Sequence, residues 1–136
     1  GDMLPKLMQE IAQKHLQNNI ICLGFLDGEE KQMAYAKADL CIMPSVSEPF
    51  GLTALEAAEC GTPLILSKKY GATEVLFNAL KTECWDVEKM AEYVLATVKY
   101  PVLQKVLACK TYEDMEHLTW ENQALKVKAV YEKAMQ

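Results

Sequence analysis

The chain has 136 residues, 51% hydrophobic and 24% charged, the balance of one globular domain with a single core. A net charge of -5 argues against nucleic acid and anionic membrane surfaces, which call for a basic face. No apolar run approaches the ~20 residues of a membrane-spanning helix, and the opening residues GDMLPKLMQE hold no apolar signal-peptide core.

Along the chain, short apolar runs alternate with amphipathic segments. Leu4, Leu7, Met8, Ile11, Ala12 and Leu16 predict a helix over residues 3–17. NIICLGFL, residues 19–26, predicts a buried strand ending near Gly24. Asp27 is placed to cap a helix over 29–37, with Glu30 answering in a capping box. ADLCIMP predicts a second strand over 38–44, stopped by Pro44. A helix over 53–60 follows, closed by Gly61 and Pro63. PLILS, 63–67, reads as a third strand, and NALKT, 78–82, as a weaker fourth. Asp86 caps a helix over 87–99, Pro101 opens a segment to about Leu107, and a last helix follows Thr119. Strands alternating with helices predict an α/β fold, a Rossmann-like parallel sheet with helices on both faces.

The five cysteines show no Cys-x-x-Cys and no Cys/His cluster. They read as buried free thiols of a reducing compartment, with no zinc site. His15 and His117 read as surface residues.

SVSEPFGLTALEAAECGTP, residues 45–63, follows the carboxyl end of the second strand, where parallel sheets bind ligands. Pro49, Phe50 and Gly51 lead into a helix whose first amides have no partners inside it, a cradle for anions. Gly51 has no Cβ, so backbone amides can approach a ligand closely. Glu48 and Glu56 flank this turn, seven residues lying between them. Two readings of Glu56 stay open: a capping box with Thr53, or a ligand contact. Glu48 is either a solvated loop carboxylate or its counterpart. A carboxylate accepts two hydrogen bonds from vicinal hydroxyls, and a nucleotide sugar carries such diols on both sides of its diphosphate.

PSVSEPFGLTALEAAECGTPLI resembles the signature of glycosyltransferase family 4: a Glu, seven residues, a second Glu, with Phe-Gly-Leu between and Cys-Gly-Thr-Pro after. NIICLGFLDGEEKQMAYAKADLCIMPS is similar to the stretch before that motif, YGATEVL to the Gly-x-x-Glu after it, and GDML to the tail of an earlier glycine turn. The likeness covers about residues 1–100. It implies a partial C-terminal donor-binding domain of the two-domain GT-B fold, a single unit over 1–136. It implies a retaining hexosyltransferase moving a hexose from a nucleoside diphosphate sugar to a glycan or lipid, with no metal and no further cofactor. By the same likeness Glu48 would be catalytic, touching the hexose near the reacting carbon. Glu56 would accept from the ribose. The amides of Phe50, Gly51 and Leu52 would hold sugar and diphosphate, with Thr53 beside them. Gly24 and Phe25 would lie near the nucleobase, and Glu74 would brace the loop.

The family's acceptor-binding N-terminal domain, and the Gly-Arg turn and Lys that grip its diphosphate, have no counterpart in these residues. Lys68 and Lys69 read as solvated loop lysines. Without that part, the strand at 20–23 would stand two strand-widths from the strand at 39–43, and open edges invite self-association or a partner chain. The isolated piece is expected to be inactive and the whole enzyme cytoplasmic, meeting a membrane through its other part. The competing expectation is a non-catalytic nucleotide-sugar-binding or interaction module.

Overall fold

The computed structural model describes residues 1–135. Its elements run α1 (Leu4–Gln13), α2 (Gly28–Lys37), β1 (Cys41–Met43), α3 (Leu52–Glu59), β2 (Leu64–Ser67), a 3-10 turn (Gly71–Glu74), β3 (Leu80–Thr82), α4 (Val87–Lys99), α5 (Pro101–Met115) and α6 (Trp120–Ala134). The three strands form one parallel sheet in the order β1-β2-β3. Cys41 pairs with Leu64 and Met43 with Leu66, while Ile65 pairs with Leu80 on the other side.

Every residue of β2 is buried. Successive side chains of a strand point to opposite faces, so both faces of the sheet are covered at its centre. Leu64 and Leu66 pack with Ala54, Ala57 and Ala58 of α3, each fully buried. These small residues let the helix lie close to the strand. Buried hydroxyls find main-chain acceptors: Thr62 Oγ1 donates to Tyr35 O (2.7 Å) and Ser67 Oγ to Ser45 O (2.5 Å). The second of these anchors the chain just past β1 to the end of β2.

Helix starts follow local chemistry. Asp86 accepts from Lys89 N, and Thr119 from Asn122 N. Asp27 caps α2 through Gly28 N, without an answering bond from Glu30. Pro101 does open a helix, but α5 runs on to Met115 because nothing near Leu107 stops it.

Residues 19–26 form no strand. Among the described residues β1 pairs only with β2, and no ladder reaches this stretch. A strand depends on a neighbour for its hydrogen bonds, and β-branched composition alone does not supply one. The stretch crosses the surface with Ile21 80% and Phe25 91% exposed. The stripe on α1 is likewise uncovered: Ile11 is buried, while Leu4, Leu7 and Met8 face solvent. The cysteines depart from expectation too. All are free, but Cys22 and Cys109 are exposed and Cys41, Cys60 and Cys84 half-buried. Burial pushes the Cys41 thiol up, which keeps it protonated and unreactive.

Hydrogen exchange checks this division directly. The amides of Ile21 to Leu26 should exchange at close to unprotected rates, and those of Ile65 and Leu66 should be the slowest in the chain. Leu66→Ala, at a site with no exposure, should cost about 2–5 kcal/mol in urea unfolding.

Candidate functional site

The turn between β1 and α3 is built from both sides. Gly71 N donates to Glu48 O (2.8 Å) and Ala72 N to Phe50 O (2.6 Å), sewing it to the 3-10 turn after β2. Glu48 and Tyr70 form a parallel bridge. Gly51 has φ +89°, where a side chain is strained, and a Cβ there would overlap the Tyr70 ring. So the space freed at Gly51 is filled by Tyr70, 3% exposed, rather than held for a ligand. A Cβ at Gly71 would strike the Pro49 carbonyl, so both glycines serve the same joint.

Helix α3 starts at Leu52 with Gly51 in the capping position and no side-chain cap. The Thr53–Glu56 capping box does not form. Thr53 already lies inside the first turn, and its hydroxyl pairs with the Tyr70 hydroxyl at 2.9 Å. Among the described residues the Leu52 and Thr53 amides have no acceptor. Two donors and the positive end of the helix dipole therefore remain available beside the turn. Phe50 and Leu52 are exposed and line an apolar cavity of about 350 Å³ with Leu55, Val75 and Trp120.

The two glutamates have different surroundings. Glu48 is half-buried, and its carboxylate makes no hydrogen bond among the described residues. Glu56 projects from α3 toward α2, where its Oε1 accepts from Lys31 Nζ at 2.8 Å. Its Oε2 is buried without a partner among the described residues. An orphaned buried acceptor costs about 1–3 kcal/mol, a deficit that a donor from elsewhere would remove. Glu56 faces a cavity of about 370 Å³ shared with Asp27, Lys31, Gln32, Tyr35 and Glu59. Glu48 is not among its lining residues, so the two carboxylates do not share that cavity.

Gly24 and Phe25 lie in the exposed stretch before α2 and join neither cavity. Glu74 is exposed and makes no side-chain bond among the described residues. The main chain of Gly71 and Ala72 does the bracing expected of it. All 14 basic side chains are lysines. Lys68 is paired with Glu83 at 3.0 Å, and Lys69 is exposed. Sequence reading missed Lys31, because nothing local links it to a glutamate 25 residues away. It also missed Tyr70, whose position after β2 gives no sign of the glycine it covers.

A parallel sheet whose first strand ends in a glycine turn and an uncapped helix belongs to the α/β domains that bind ligands at strand carboxyl ends. The family model for Glycosyl transferases group 1 matches residues 1–113, and the chain belongs to this family. An uncharacterised glycosyltransferase of Methanocaldococcus jannaschii is 28% identical over 100% of this chain and 36% of its own length. A D-inositol 3-phosphate glycosyltransferase of Rhodococcus opacus is 34% identical over 66% of this chain and 21% of its own. Among solved structures, sucrose-phosphate synthase of Thermosynechococcus elongatus superposes with TM-score 0.85 at 27% identity, over 99% of this chain and 35% of that one. The Anabaena protein HepE, solved with UDP and glucose, superposes with TM-score 0.82 at 23% identity, over 96% of this chain and 37% of its own. The fold is that of a partial GT-B domain. The chain spans little more than a third of the length of the M. jannaschii relative.

Gly51→Ala should destabilise by more than the ~1 kcal/mol of left-handed backbone strain alone, since the new methyl also displaces Tyr70. Tyr70→Phe removes only the bond to Thr53 and should cost about 0.5–1.5 kcal/mol. Urea titration of both variants orders the two effects.

Proposed function

We propose that this chain is the donor-binding part of a retaining glycosyltransferase of family 4. It moves a hexose from a nucleoside diphosphate sugar to a glycan or lipid hydroxyl. The observation that carries the reading is the uncapped start of α3, free amides at Leu52 and Thr53, with Glu48 before it and Glu56 one turn into it. Family membership supports the same assignment, as does a fold-mate solved with UDP-glucose.

In this reading the amides of Phe50, Gly51 and Leu52, with Thr53 beside them, hold the diphosphate and the sugar. Glu48 accepts from hexose hydroxyls next to the reacting carbon. Glu56 accepts from the ribose, and Gly24 and Phe25 border the base. The bond from the anomeric carbon to the diphosphate oxygen breaks. The acceptor oxygen attacks from the same face, and its proton passes to the departing phosphate. Catalysis rests on stabilising the charge that grows on the diphosphate, and no metal takes part. The rest of the gene product supplies an acceptor domain and the basic side chains for the diphosphate. No helix among the described residues is long and apolar enough to cross a membrane. We place the protein in the cytoplasm, meeting a membrane through its other part, and expect the isolated piece to be inactive and to self-associate through its open sheet edge.

A second reading, a binding module without turnover, draws on the lysines. Lys31 and Lys68 are tied to Glu56 and Glu83 rather than left for a diphosphate. Assays on the complete gene product with a panel of nucleotide sugars separate the two. The enzyme reading expects transfer with retained anomeric configuration, undiminished by EDTA. Glu48→Ala should lower turnover far more than donor affinity. Glu56→Ala should weaken donor binding about 10- to 100-fold, the value of hydrogen bonds to a charged group. Equal affinity for free hexose and nucleotide sugar would overturn the donor assignment.

A further inference from the structure

We propose that Lys31 is a positioning residue for Glu56. It fixes one carboxylate oxygen so that the other is left to accept from the ribose hydroxyls of the nucleotide, and it thereby sets the preference for a ribonucleotide. The inference rests on the donor-site reading given above.

Three observations meet at this pair. First, Lys31 Nζ lies 2.8 Å from Glu56 Oε1, a charge-assisted bond between α2 and α3. Second, Glu56 Oε2 is out of water and unpartnered among the described residues. Native structures rarely leave a carboxylate oxygen in that state unless something else completes it. Third, the pair opens on a cavity of about 370 Å³, in the size range of ligand pockets. Oε2 has almost no accessible surface, so a hydroxyl donor from the cavity reaches it when the side chains covering it shift.

A glutamate on a helix has several rotamers of similar energy, and one that samples them presents its acceptor only part of the time. The bond to Lys31 selects one rotamer. The ammonium is charged across the neutral range like any lysine, and the hydrogen bond to Glu56 raises its pKa further against a smaller opposing effect of desolvation. The cavity's other carboxylates, Asp27 and Glu59, make no ion pair with Lys31 among the described residues, so Glu56 keeps it. The side-chain exposures of the pair, 31% and 38%, lie on atoms other than Oε2. The pair is too open to act as a major prop of the fold.

The test uses the complete gene product and calorimetry with UDP, 2′-deoxy-UDP and 2′,3′-dideoxy-UDP, or the matching GDP or ADP series if one of those binds tighter. The unaltered protein should prefer the ribonucleotide over the dideoxy form by about 10-fold or more. Lys31→Met should cut that preference about 3- to 10-fold while leaving dideoxy affinity within about twofold, and Lys31→Arg should restore it. Lys31→Gln serves the same comparison if the Met variant does not fold. If Glu56→Ala erases the preference but Lys31→Met and Lys31→Gln leave it intact, the role of Lys31 is overturned and the donor reading stands. If Lys31→Met weakens all three nucleotides equally, Lys31 acts by general charge or packing, and the proposal fails. If Glu56→Ala leaves the preference unchanged, or no nucleotide binds, the ribose assignment falls and the proposal with it.

Discussion

The joint between Gly51 and Tyr70 governs the geometry of everything around it. A left-handed residue at 51 lets the chain leave Phe50 and enter α3 without a further turn. The Tyr70 ring occupies the volume a side chain would have used, and its hydroxyl ties to Thr53 in the helix's first turn. Two main-chain bonds from Gly71 and Ala72 hold the other end of the turn. The direction of the Leu52 and Thr53 amides is thus fixed by a residue that follows a different strand. Preorganised donors of this kind cost no reorganisation when a charge arrives.

What could be read from the sequence is what neighbours in the chain decide. Asp27, Asp86 and Thr119 sit next to the helices they start, and capping is a matter of two or three residues. β2 was legible because PLILS is apolar on both faces and bounded by Pro63. The strand expected at 19–26 was not, because a ladder needs a second strand that composition does not reveal. The site divides the same way. The turn at Pro49–Gly51 and its two glutamates were plain from their order. The partners that give them individual character were not: Lys31 and Tyr70 reach them across the fold. The same distance explains why a capping box at Thr53 stood as one of two open readings where a hydroxyl pair with Tyr70 is found.

The carboxylates illustrate how environment separates chemically identical groups. Glu48 lies in a bridged loop with an unengaged carboxylate, while Glu56 has one oxygen neutralised by an ammonium and the other stripped of water. Neither arrangement is that of a proton-sharing pair, which needs two carboxyl groups within a few ångströms to push their pKa values apart. Glu56 has the fixed direction and the low local dielectric that strengthen a hydrogen bond accepted from a hydroxyl, whereas nothing among the described residues fixes the carboxylate of Glu48.

The alanines of α3 carry a last consequence. Ala54, Ala57 and Ala58 have no exposed surface and pack in one cluster with Leu64 and Leu66 of β2. Any enlargement there would lever the helix outward and swing its first amides away from the turn. Volume in the core is thereby converted into displacement at the surface. Divergence in what such a domain recognises is then channelled into the outward positions of α3 and the loops around it, such as Leu52, Leu55 and Glu59. The inner face of the helix has little freedom to drift.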